Sequence, residues 1–206
     1  MEETIEYKGY QIVIETDDNA GNPRTEWDNL GTMACFHKRY SLGDDKKTHE
    51  LDSDDFANWA AMKKHIETVL NAAVVLPIYM YDHSGQTVNT TGFSCQWDSG
   101  QIGFIFITKE KARHEYSVKR ISKKLKARLT EYLISEVQTY DDYMTGSVYG
   151  YKVLDENEEE LDACWGYYGD NHEKSGLMEA AKNAIDCRIK AKVAADKLLH
   201  DIDSVS

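Results

Sequence analysis

The spacing of apolar and polar positions changes several times along the chain, and each change marks an element. In Ile5 to Thr16, Tyr10, Ile12 and Ile14 alternate with Gln11, Val13 and Glu15, which predicts a strand opened by a turn at Lys8-Gly9 and closed by Asp17-Asp18-Asn19. Asp28-Asn29 with Gly31 favours a turn, after which Thr32 to His37 reads as a strand. That strand puts Met33, Cys35 and His37 on one face and Thr32, Ala34, Phe36 and Lys38 on the other. Leu51 to Ala72 then steps by three and four through Phe56, Trp59, Ala60, Ile66, Val69 and Leu70, predicting a helix capped by Asp52 with Leu51 and Phe56 as a hydrophobic staple.

The second half repeats the alternation. Val74 to Tyr81 is a dense apolar run whose Pro77 suits an edge or a strand start. The turn Asp82-His83-Ser84-Gly85 leads into Gln86 to Thr91 as a hairpin partner. Gly92 to Gly100 is a tight connector. Gln101 to Thr108 is apolar on both faces and belongs at the centre of a covered sheet. Lys109 to Met144 reads as one long helix, with or without a kink, through Val118, Ile121, Leu125, Leu129, Leu133, Val137 and Tyr140. Gly146 to Leu154 and Glu160 to Tyr168 form a tyrosine-rich hairpin over Asp155 to Glu158. Ser175 to about Ile202 is a last helix, with Leu177, Ala181, Ala184, Ile185, Ile189, Val193 and Leu198 inward. The sum is an α+β fold, one mixed or largely antiparallel sheet of about six to seven strands against three helices, in a single domain spanning 1–206.

Composition narrows the class. A chain of 206 residues with 41% hydrophobic and 11% aromatic positions can bury its own core. No apolar run is long enough for a membrane span, and the acidic start MEETIEYKGY lacks the basic and apolar order of a signal peptide, so a cytoplasmic protein is expected. Cys35, Cys95, Cys164 and Cys187 stand singly, as buried thiols do, rather than in metal or disulfide spacing. The net charge of −12 is uneven: Lys109 to Arg128 holds nine basic residues and two acidic, leaving −19 on the rest. An acidic body with one basic segment suits a basic partner protein or occupation of a nucleic-acid-binding groove. The alanine-rich last helix permits close approach to a second copy, so a dimer is compatible and the oligomeric state stays open.

The chemically versatile side chains concentrate in Asn22 to Asp44. Its binding candidates are Arg24, Glu26, Trp27, Asp28, His37, Arg39 and Tyr40, joined from the later connector by Asp98. His37 ends a core face where Asp28 or Asp44 can reach it, as a base or metal ligand would require, or as a half-buried histidine beside a turn-capping aspartate. A hydrolase or metal enzyme would draw on Asp28, His37, His83 and Asp98; a mixed site of Cys35, His37, His83 and Cys95 has no spacing to support it. Lys119, Arg120, Lys123, Lys124 and Arg128 make two basic rows that could bind nucleic acid or remain a solvated face, since no aromatics interleave with the lysines for stacking. Phosphate-loop, dinucleotide, zinc-protease and nucleophile-elbow motifs are absent, so no catalytic residue and no cofactor or metal is assigned, and binding is favoured over chemistry.

In PRTEWDNLGTMACFHKRYSLGD, in YMYDHSGQTVNTTGFSCQWDSGQIGFIFITKEKAR, and in SVYGYKV with CWGYYGD, the chain resembles a family of small proteins encoded by bacteriophages and other mobile elements, over nearly its whole length. The family carries no catalytic residues to transfer. The resemblance implies a context: small phage accessory proteins disarm host immunity, and a tie to anti-CRISPR proteins acting on Cas9-type effectors, or to inhibitors of restriction enzymes, is expected. Such nucleases hold nucleic acid in basic channels, to which an acidic body is complementary.

Overall fold

The computed structural model describes residues 3–95 and 97–203, with side chains as far as residue 197. The fold is α+β, and the strands form two antiparallel sheets of four rather than one larger sheet. Among the described residues there are six α-helices, where three were expected. The chain divides into two compact units, positions 1–20 with 146–206, and positions 21–145. None of the described helices is long and apolar enough to cross a membrane.

The first unit begins with β1 (Glu3–Tyr7) and β2 (Tyr10–Thr16), joined at Lys8 and Gly9. Both turn residues have positive φ, 53° and 83°, the tight hairpin turn whose twist matches that of its strands. β7 (Val148–Leu154) and β8 (Glu160–Tyr168) complete the sheet in the order β1-β2-β7-β8. One face carries Ile12, Ile14, Tyr151 and Val153 and is covered by α6 (Leu177–Asp203) through Leu177, Met178, Ala181 and Ile185. At about 1.5 Å per residue a 27-residue helix outruns seven-residue strands nearly twofold. Hence Val193, expected inward, is 63% exposed, while the side chain of Leu198 lies outside the described residues.

The second unit is built on β3 (Thr32–Cys35), β6 (Ser99–Thr108), β4 (Ala72–Asp82) and β5 (Gln86–Asn89), ordered β3-β6-β4-β5. β6 is central, as its two apolar faces require. On one side Met33, Ile78, Ile105 and Ile107 meet Leu129, Leu133, Val137 and Tyr140 of α5 (Lys123–Thr145). On the other, Ala34, Phe104 and Phe106 meet Met62 and Ile66 of α3 (Trp59–Thr68). β3 crosses β6 closely: a Cβ on Gly103 would lie 2.0 Å from the Ala34 carbonyl oxygen. Two short helices, α1 (Pro23–Glu26) and α2 (Lys46–His49), also belong to this unit.

Three expected elements change. The helix predicted from Leu51 starts only at Trp59, because Asn58, in extended backbone, accepts the Ala61 N–H at 2.9 Å. Asp52 instead caps a 3-10 turn at Ser53–Asp55. Pro77 lies within an inner strand rather than at an edge or start. β5 pairs with β4 only over Tyr79–Asp82, so the side of Pro77 away from β6 has no neighbour needing its missing N–H. The long helix predicted over Lys109 to Met144 is broken into α4 (Lys109–Glu115) and α5. Ser117, with φ 49°, donates to the His114 carbonyl and Val118 to that of Arg113, closing α4, and Ser122 Oγ accepts the Leu125 N–H to open α5. Val118 and Ile121 therefore lie in a connection.

Candidate functional site

Arg24 is the best-held side chain of the Asn22 to Asp44 stretch. It is buried. The Asn22 side chain accepts the Arg24 N–H at 2.9 Å and Pro23 sets the first helical φ, forming α1. From there the guanidinium donates to Asp44 Oδ1 at 2.7 Å and Oδ2 at 3.0 Å, to Glu136 Oε2 at 2.9 Å, and to the Gly31 carbonyl at 2.8 Å. Glu136 also accepts the Leu30 and Gly31 N–H groups, and Asp44 that of Met33. Burial alone would lower the Arg24 pKa, but the two carboxylates outweigh it and the pKa is raised. This network fixes both ends of the loop that follows β3 and leaves no guanidinium for a ligand.

That loop carries His37, Lys38, Arg39 and Tyr40, and it borders an open groove of about 560 Å³ at the end of the second sheet. The groove is lined by Phe36 to Arg39, by Met80 and Asp82 where β4 ends, and by Trp97, Asp98 and the first residues of β6. The His37 and Tyr40 rings stack at 4.9 Å with 8° between planes. Arg39 pairs with Asp82, and its guanidinium lies 5.2 Å from the Tyr40 ring centre. Asp98 Oδ2 is 3.4 Å from His83 Nδ1 and accepts a weak hydrogen bond from Cys95 Sγ at 3.7 Å, while its carbonyl accepts the Asp82 N–H at 2.9 Å. Trp97 is 94% exposed on the rim.

The structure thus brings His37, Arg39 and Asp98 to one groove, with Tyr40 stacked on His37 and His83 adjoining through Asp98. It does not bring Asp28 there: Asp28 lines a separate cavity of about 280 Å³ with Lys111, Glu115, Tyr116, Arg128 and Tyr132. Glu26 is exposed and accepts the Asn22 N–H at 3.2 Å, a cap on α1, and Trp27 is half exposed beside it. Neither Asp28 nor Asp44 meets His37; its Nδ1 accepts the Arg39 N–H at 3.3 Å. The mixed cysteine and histidine set does not form: Cys35 packs against the α5 side of the sheet, where burial pushes its thiol up to about 12. Among the described residues no group of three or more His, Cys, Asp or Glu is placed to hold a metal ion.

In this groove the carboxylate of Asp98 is the group that meets both the imidazole and the thiol. The carboxylate thus stands between the His83 imidazole and the Cys95 thiol, whereas nucleophilic catalysis places the base between nucleophile and carboxylate. Asp82 and Trp97 were missed by reading the sequence, since an acid closing an apolar run reads as a turn residue and a tryptophan between polar neighbours reads as packing. A second groove, about 840 Å³, shares Phe36 to Arg39 with the first and adds Tyr40, Asp45, Lys46, His49, Asp52 and Trp59.

The basic candidates also separate. Lys119 and Arg120 lie in the α4–α5 connection, Lys123, Lys124 and Arg128 on α5, and all are exposed. Compared with protein-family models, curated proteins and solved structures, the chain matches none of them.

Proposed function

We propose that the protein is a non-enzymatic binding protein that docks on a basic, nucleic-acid-handling partner, as a phage-encoded inhibitor of a host CRISPR or restriction nuclease would in the host cytoplasm. The observation that supports this reading is the partition of charge between the two units. Positions 1–20 and 146–206 hold 19 acidic and 8 basic residues, net −11, whereas positions 21–145 hold 17 and 16, net −1. Charge of one sign concentrated on one unit steers it to an oppositely charged surface, where evenly mixed charge would not. The tip of the β7–β8 hairpin is its densest part, with Asp155, Glu156, Glu158, Glu159 and Glu160 in six positions. Trp165, 42% exposed on β8 and laid against Gly150, supplies an aromatic anchor nearby.

The test is a cleavage assay with Cas9-type and type I restriction nucleases at two salt concentrations, comparing the parent with Glu156→Lys, Glu159→Lys and Glu160→Lys combined. These residues are exposed, and Asp155, which caps the turn by accepting the Asn157 and Glu159 N–H groups, is left intact. Inhibition that weakens with salt and is lost on charge reversal is expected. No inhibition at low salt, or equal inhibition by the variant, overturns the reading. The groove at His37, Arg39 and Asp98 favours a second reading, recognition of a small anionic or aromatic ligand, which calorimetry against a ligand panel would test.

A further inference from the structure

Lys119, Arg120, Lys123, Lys124, Lys126 and Arg128 are six cations in ten positions, all exposed. Among the described residues none of them lies within ion-pair distance of a carboxylate. Elsewhere Lys8, Arg24, Arg39, Lys46, Lys152 and Lys182 each meet one. Other exposed cations, Lys38, Lys47 and Lys64 among them, also have no ion pair among the described residues, but nowhere else in the chain are six crowded into ten positions. Three of the lysines also occupy the first turns of α5, which has no acidic residue there. Cations at the positive end of a helix dipole oppose it, and a local rule broken without a stabilising return points to a ligand of opposite charge.

A second, independent feature adjoins them. The break between α4 and α5 turns Tyr116 back over the start of α5, where the Arg128 guanidinium lies 5.4 Å from its ring centre. Tyr116, Arg128 and the half-exposed Tyr132 line the cavity of about 280 Å³ together with Lys111, whose Nζ donates to the Asn29 carbonyl at 2.7 Å. Asp28 and Glu115 line it too. Carboxylates repel a phosphate but accept from the amino and imino groups of a base. The aromatic interleaving that the linear sequence lacks is thus supplied by the fold.

We propose that this face of the second unit binds single-stranded nucleic acid, with phosphates on the exposed lysines and Arg120, and one unstacked base against Tyr116 and Tyr132. A single strand fits better than a duplex because only an unpaired base can leave its stack to reach a tyrosine-lined cavity. The compact basic segment implies a short footprint. This inference stands apart from the docking of the acidic unit, since it needs no nuclease.

Fluorescence anisotropy of the full chain with labelled oligothymidylate, oligouridylate, a duplex of mixed sequence and inorganic polyphosphate tests it across a salt series. Single strands are expected to bind tightest, with log K falling by about 0.7 per phosphate contact for each unit of log salt. Lys123→Gln, Lys124→Gln and Lys126→Gln together should shallow that slope by about 2, with the helix retained by circular dichroism. Tyr132→Ala should weaken binding by about 5- to 150-fold with the slope unchanged. Absence of binding at low salt, a triple variant that binds like the parent, or duplex or polyphosphate bound as well as single strands overturns the proposal.

Discussion

Replacing Arg24 by methionine tests how the loop bearing His37 to Tyr40 is held. Methionine keeps most of the length and none of the charge. The Arg24 side chain is 1% exposed and those of Asp44 and Glu136 are each 9%, so the change leaves two carboxylates facing each other out of water. Counting four charge-assisted hydrogen bonds at their usual worth would give about 6–12 kcal/mol, an overestimate. Both acids keep their bonds from the N–H groups of Leu30, Gly31 and Met33, and water can enter beside a vacated guanidinium. The measured cost of breaking a buried pair, about 3–5 kcal/mol, is the better guide. For a chain of this size it lowers Tm by about 6–20 °C. Thermal and urea unfolding followed by circular dichroism give the number. Adding Asp44→Asn and Glu136→Gln should restore part of the loss, because neutral amides tolerate the site. A loss below about 1 kcal/mol, the value of a screened surface pair, would refute this account of the loop.

Further outcomes follow from single contacts. Asn58→Ala removes the acceptor that starts α3 and should cost about 1 kcal/mol in urea unfolding, whereas Asp52→Ala should leave α3 intact. His49, buried with its Nδ1 accepting the Leu51 N–H at 3.1 Å, has a pKa lowered below 6.5 by burial, against the pull of Asp44 and Asp45. The unfolded chain then binds the extra proton first, so stability falls as pH drops below 6.5, and His49→Gln should flatten urea midpoints measured between about pH 6.5 and 5. Cys35, held protonated by burial, should resist iodoacetamide at pH 8 until the chain unfolds, while the exposed Cys164 and Cys187 are alkylated in the native state, as mass spectrometry reads directly.

Period was legible in the sequence; partnership was not. The alternation of Ile12 and Ile14, the two apolar faces of β6 and the steps from Leu129 to Tyr140 each placed an element correctly, because burial on one face or two leaves that mark. The division into two sheets leaves no such mark, since a strand reads the same whichever neighbour it pairs with. Helix boundaries were misplaced where apolar spacing continued past a stop: Val118 and Ile121 keep the rhythm across a break that Ser117 and Ser122 impose through backbone hydrogen bonds. Arg24, which reads as a binding residue, is instead committed to two acids, and the pairing with Glu136 spans 112 positions. The groove was half legible: His37, Arg39 and Asp98 were named, while Asp82 joined them only through the register of β4 against β6.

β2 and β7 are hydrogen-bonded neighbours, yet 131 positions separate Thr16 from Val148, and a whole unit is spelled out between them. During synthesis the first hairpin must wait, its Ile12 and Ile14 uncovered, while everything from Gly21 to Thr145 emerges and can finish folding. Only then do β7, β8 and α6 arrive to close over it. A ribosome that stalls near residue 145 would therefore release a finished second unit trailing a bare, sticky ribbon of β1 and β2, so the vulnerability of this protein to aggregation and chaperone capture lies in that early hairpin.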